Sequence, residues 1–129
     1  VQEFIDQHQD DESLAEFIGP LAKAFGRLQQ ATLTVAQRGL SDPEEAGAAA
    51  TDYLRFFALV ALAYLWCRAV IVARSRLGQG EDEFYQGKIL TARFFMQKIL
   101  PQTSSLLAII SAGAKPVMEM PDTFFGAEL

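Results

Sequence analysis

The side chains able to do chemistry are few and far apart in this 129-residue sequence. His8 is the only histidine, so the Glu-x-x-His pairs with which helical bundles hold two metal ions cannot be assembled. Glu12 and Glu16, one helical turn apart, are expected to face water. Cys67 is the single cysteine. It has no histidine to activate it and lies inside an apolar run, which predicts a buried structural thiol. Ser104-Ser105 follows Pro101 in a helical pattern, where packing or capping explains it. Gly78-Gln79-Gly80 is too short for a phosphate loop, and the Glu81-Asp82-Glu83 behind it would repel a phosphate. No catalytic, cofactor-binding or metal-binding residue is assigned.

Two further groups bear on binding. Tyr53, Phe56, Phe57, Tyr64 and Trp66 could be pictured as a stacking surface for a flavin or nucleotide, but aromatics at helical spacing read as core. Arg55, Arg68, Lys88 and Arg93 each lie within or beside an apolar helix. A charge there must find a partner or extend to solvent, and Asp52 and Glu83 are the expected partners.

The elements that position these residues are three long segments with apolar side chains every three or four residues, the spacing of one helical stripe. The first stripe reads Leu14, Phe17, Leu21, Ala24, Leu28, Ala31, Val35. Pro20 lacks an N–H, which predicts a kink or a fresh start there, a main helix from Pro20 to Arg38 and a stop at Gly39. Ser41-Asp42-Pro43-Glu44-Glu45 is a second start signal, with a cap, a proline at the first helical position and carboxylates at the positive helix end. Its expected core stripe is Tyr53, Phe57, Val60, Tyr64, Cys67, Ile71. Leu54, Leu62, Leu65 and Val70 occupy other faces, so this helix should sit centrally or dock onto a neighbour, ending at Gly78-Gln79-Gly80. The third stripe is Ile89, Ala92, Met96, Ile99, Thr103, Leu106, Ile110, interrupted by Pro101 and closed by Gly113. The tail, with Met118, Met120, Phe124 and Phe125 between prolines, is expected to fold back over the bundle or onto a partner. The fold class is therefore all-α: an antiparallel bundle of three to four long helices with a short apolar C-terminal tail. Residues 1–13 form an acidic lead segment and 14–129 the bundle domain.

Half of the residues are hydrophobic, ten of them Phe, enough for one core in a chain of this length. A net charge of −5 argues against nucleic acid. The first sixteen residues hold Glu3, Asp6, Asp10, Asp11, Glu12 and Glu16 with no cation, so the lead segment is expected to be solvated. The uncharged run Phe56–Cys67, between Arg55 and Arg68, falls short of the roughly twenty residues of a membrane span, and no span is expected. A lone buried thiol suits a cytoplasmic setting. Val1 opens the chain without a signal pattern, as expected of a piece of a longer protein.

Several pieces, taken in order, resemble a known family. They are Ala50-Thr51-Asp52-Tyr53-Leu54, Tyr64-Leu65-Trp66-Cys67-Arg68-Ala69, Lys88-Ile89-Leu90-Thr91-Ala92-Arg93-Phe94-Phe95, Ile99-Leu100-Pro101, Ala112-Gly113-Ala114 and Met118 to Phe124. They look like the helical domain that follows the core of long-form acyl-CoA dehydrogenases, including the methylmercaptopropionyl-CoA dehydrogenase type. The likeness covers Leu14 to Phe125 and consists of packing motifs. It implies a parent flavoprotein that oxidises an acyl-CoA to the 2,3-enoyl-CoA, with a glutamate base and FAD both upstream of this domain. It further implies docking on that core, a homo-oligomer, and no FAD site or turnover in this stretch alone. Tyr53, Trp66, Arg68, Lys88 and Arg93 are the candidate docking residues, Arg93 holding the bundle against the core or a second subunit. The competing reading is a free-standing helical interaction module whose apolar second helix receives a partner.

Overall fold

In the computed structural model, which describes residues 1–126 with Val117 as backbone only, the chain is all helical among the described residues. The last three residues of the expected 14–129 domain lie outside the described residues. Helix α1 spans Gln2–His8, α2 Ala15–Ser41, α3 Pro43–Ser75, α4 Asp82–Phe94, α5 Gln102–Ala112 and the single turn α6 Lys115–Met118. A five-residue π-helical stretch, Phe95–Ile99, joins α4 towards α5. Helices α2, α3 and the bent α4–α5 rod make an up-down-up bundle, α3 packing against both others.

The hairpin between α2 and α3 is set by one residue. Asp42 ends α2 through its N–H to the Arg38 carbonyl, and its extended backbone lets its carboxylate accept the Glu44 N–H at 3.0 Å as the cap of α3. Pro43 takes the first helical position, as expected. Gly39 is not the stop; α2 continues through it to Ser41. An added Cβ there would stand 3.1 Å from the Ala46 Cβ, so the glycine serves the close approach of the two helices.

Pro20 neither starts nor breaks α2, which begins upstream at Ala15 behind a 3-10 turn whose Asp11 carboxylate accepts the Ser13 N–H at 2.9 Å. Phe17, Ile18 and Leu21 are buried on either side of the proline and hold the rod in place. At Pro101 the sequence expectation of an interruption holds. The missing N–H is accommodated by the π stretch, where Leu100 donates to Phe95 at 2.9 Å, and by a tight restart in which Thr103 donates to Leu100 at 3.0 Å.

The core contains the expected stripes of α2 and of the α4–α5 rod: Leu14, Phe17, Leu21, Ala24, Leu28 and Ala31 meet Ile89, Ala92, Met96, Leu106 and Ile110, with Val35 and Ile99 half-buried. In α3 the stripe differs. Ala49, Phe56, Val60, Ala63, Cys67 and Val70 are buried, while Phe57 is 53% exposed and Tyr53, Tyr64 and Ile71 are only half-buried. The buried face is thus rotated about one residue from the expected one. Small Ala49 and Ala63 let α3 lie close to its neighbours, and the aromatic at 56 fills the space between them.

Two expectations for the ends fail. The acidic lead is not simply solvated: α1 buries Ile5 and sets the Phe4 ring edge-on to Tyr64 at 5.2 Å. The tail does not fold back over the bundle, since Met118, Met120, Phe124 and Phe125 are all exposed. Gly113 does end α5, at φ 77°, and Ala114 behind it is buried with its N–H on the Glu45 carboxylate at 3.0 Å.

Phe56 is wholly enclosed and Phe57 half in water. In urea unfolding, Phe56→Ala is expected to cost about 3–5 kcal/mol. Phe57→Ala should cost well under half as much, and equal losses would contradict the rotated core face.

Candidate docking surface

Helix α3 is apolar on two opposite sides. Its inner seam runs Phe56, Val60, Ala63, Cys67, Val70, alternating steps of four and three residues. The same alternation recurs two residues earlier as Leu54, Ala58, Ala61, Leu65, Arg68, Val72. On a helix that offset lies nearly opposite the inner seam. Leu54 is 68%, Leu65 54% and Val72 54% exposed, and Phe57 and Leu62 flank the row. By length and composition alone α3 could cross a membrane, but it serves here as the bundle's central rod with a third of its most apolar 18-residue window buried.

The five candidate residues do not form one cluster. Tyr53 is half-buried with its hydroxyl 2.7 Å from Thr32 Oγ1. Because Thr32 spends its one proton on the Leu28 carbonyl at 2.8 Å, Tyr53 is the donor to Thr32. Beside it opens a shallow apolar cleft of about 520 Å³ lined by Phe25, Leu28, Leu33, Tyr53 and Phe57. Trp66 is half-buried on α3. Arg68 is exposed on the outer seam, its guanidinium 5.7 Å from the Tyr64 ring centre. Lys88, on α4, lies exposed over Phe84 at 5.2 Å.

Arg93 has a partner that sequence reading missed. Its Nε and NH2 each donate to a different oxygen of Glu16 at 2.8 Å, a two-pronged bridge from α4 to the start of α2. Glu16 therefore does not simply face water. The hydrogen bond and charge of Arg93 hold its carboxyl below the ordinary value of 4.5, against a smaller opposing effect of burial, and Glu16 raises Arg93 in turn. Neither Asp52 nor Glu83 is the partner of these cations: Arg55 donates to Gln102 at 2.7 Å. Glu16 and the Tyr53 partner Thr32 are about 24 Å apart along α2, which separates the Arg93 and Tyr53 positions. The other clamp missed from sequence closes the opposite end, where Arg38 donates to the Ser111 carbonyl at 2.9 Å and Glu45 holds Ala114.

Cys67 is buried, with Sγ 3.5 Å from the Phe17 carbonyl, and burial pushes its thiol up to about 12. It is inert as a nucleophile at neutral pH. Among the described residues no three His, Cys, Asp or Glu side chains converge as a metal site. The concavity at the α3–α4 turn is lined by Gly78, Gly80, Glu81, Asp82, Glu83 and Phe84. Its three carboxylates do not suit the diphosphate of a flavin dinucleotide.

A bundle with its surface given to packing and clamps, rather than to reacting groups, agrees with the comparison with known proteins. The family model described as acetyl-CoA dehydrogenase C-terminal like matches residues 1–121. The chain belongs to that family. It is also similar to the broad-specificity linear acyl-CoA dehydrogenase FadE5 of Mycobacterium tuberculosis, 28% identical over 135 aligned positions covering 97% of this chain. It spans only 22% of that relative's length. Acetyl-CoA dehydrogenase C-terminal-like membership is thus carried by nearly the whole bundle, packing residues included.

The Glu16–Arg93 bridge has a pH signature. With the folded-state carboxyl depressed, its stabilisation is full above the unfolded value near 4.5 and is lost as pH falls through the lower folded value. Both groups are partly exposed, so the effect is small and weakened by salt. Glu16→Gln is expected to lower the thermal midpoint slightly at neutral pH and to leave it unchanged at the acid end, as followed by circular dichroism.

Proposed function

We propose that this chain is the C-terminal accessory domain of a long-form, FAD-dependent acyl-CoA dehydrogenase, of the methylmercaptopropionyl-CoA dehydrogenase-like type, and that it docks on that enzyme's catalytic core. The family match over residues 1–121 carries the reading. The parent converts an acyl-CoA thioester to the 2,3-enoyl-CoA, and FAD supplies the electron acceptor there. This chain's own residues take no step in that reaction. Its sole thiol is locked under α2, and the acid-lined turn disfavours a flavin. What the bundle offers is shape: an apolar α3 face, the Tyr53 cleft and an exposed Met and Phe tail, surfaces that suit permanent packing inside a larger protein. The lone reduced thiol fits a cytoplasmic parent.

A second reading, a free-standing interaction module, is supported by the same exposed apolar residues of α3. Absorbance spectra and acyl-CoA-dependent dye reduction separate the two. On the dehydrogenase reading the complete open reading frame is yellow and active, whereas the 129-residue chain is colourless and inactive. A colourless parent, or an open reading frame with no catalytic core, would leave the interaction module as the function.

A further inference from the structure

The outer seam of α3 is self-complementary when it is run against itself in the opposite direction. We propose that it pairs antiparallel with the same seam of a second copy of this chain, across a two-fold axis at Ala61 and Leu62. The inference is independent of the flavoenzyme reading.

Three observations support that occupant. The first is size. In this register Leu65 lies over Ala58 of the other copy, Leu54 over Ala69, Leu62 over Ala61 and Val72 over Thr51, so every large side chain meets a small one. Leu54, Leu62, Leu65 and Val72 are exposed, as are Ala58 and Thr51, while Ala61 and Ala69 are half-exposed. Small residues opposite large ones let two helices approach closely enough to interdigitate. An isologous contact needs this kind of self-match, because each position meets its symmetry partner twice.

The second is charge. Helix α3 has Glu44 in its first turn and Arg76 at its C-terminal cap, both exposed and on the same edge of the outer seam by helical phase. Antiparallel pairing brings each Glu44 towards the other copy's Arg76, and sets the positive helix end of one α3 beside the negative end of the other. A parallel arrangement would stack Glu44 on Glu44 and Arg76 on Arg76.

The third is aromatic and cationic. On the other edge of the seam, Phe57 of one copy falls between Tyr64 and Arg68 of the other. Arg68 already holds its guanidinium over a ring, and Phe57, 53% exposed, is the aromatic left open. A bilayer is a poorer occupant, because Arg68 stands inside the seam and would face lipid.

Sedimentation equilibrium of the 129-residue chain should show a concentration-dependent dimer. Leu65→Asp is expected to weaken it by roughly thirtyfold or more, as for a central contact residue, while far-UV circular dichroism stays helical because Leu65 is not in the core of one copy. Under mild oxidation Ala61→Cys should link to itself across the axis and Leu54→Cys should not. In the complete parent the Ala61→Cys link should persist. The proposal is overturned by a chain that stays monomeric, by a dimer indifferent to Leu65→Asp, or by Leu54→Cys linking in place of Ala61→Cys. It is equally overturned by co-flotation with phosphatidylglycerol vesicles, which would make lipid the occupant. In the parent, an Ala61→Cys thiol that neither self-links nor reacts with maleimide would identify the upstream core as the occupant instead.

Discussion

A helix of 33 residues that is apolar on opposite faces can bury only one of them against the helices to which a short chain connects it. Helix α2 is tied to α3 through Asp42 alone, and the α4–α5 rod returns over the same side. The inner seam from Ala49 to Ala73 is therefore covered. Much of the rest of the bundle follows from this. The glycine at 39 brings α2 close where the hairpin turns, the small inner residues at 49 and 63 admit the neighbouring rods, and Phe56 fills the volume they leave.

The polar contacts have a different task. Hydrophobic burial is non-directional and would tolerate some sliding of α4–α5 along the α2–α3 hairpin. Arg93 on Glu16 fixes one end of that rod, Arg38 on Ser111 fixes the other, and Arg55 on Gln102 ties its middle to α3. Each contact is exposed and weak in isolation. Together they select one register among several of similar burial, which a rod already bent at Pro101 requires.

How much of this could be read in the sequence depended on contrast between faces. The stripes of α2 and of the third rod stood out because polar residues flank them, and Asp42-Pro43 announced a helix start through cap chemistry. In α3 the periodicity carries no phase, since Leu, Ala, Val and aromatic residues occur all round. The stripe through Tyr53, Phe57 and Tyr64 was as good a reading as the true one through Phe56, Ala63 and Val70. Large side chains drew the choice, whereas close helix packing favoured the smaller ones. The Glu16–Arg93 pair, separated by 77 residues, leaves no local mark at all. The lead segment was misread for a related reason: its charges were counted, but Phe4 and Ile5 form the apolar side of a short helix beneath them.

The ambiguity of α3 in sequence and its exposure in structure have one physical cause. A helix that only closes a small bundle gains nothing from apolar residues on its far side, and exposed Leu and Phe there invite non-specific association. Single such residues are ordinary on protein surfaces, but a row that keeps the four-three alternation over five turns is the pattern of a helix with two partners. The inner partner is supplied within this chain. The outer one has to come from another surface, and the order of large and small residues along the row restricts which surface can fit.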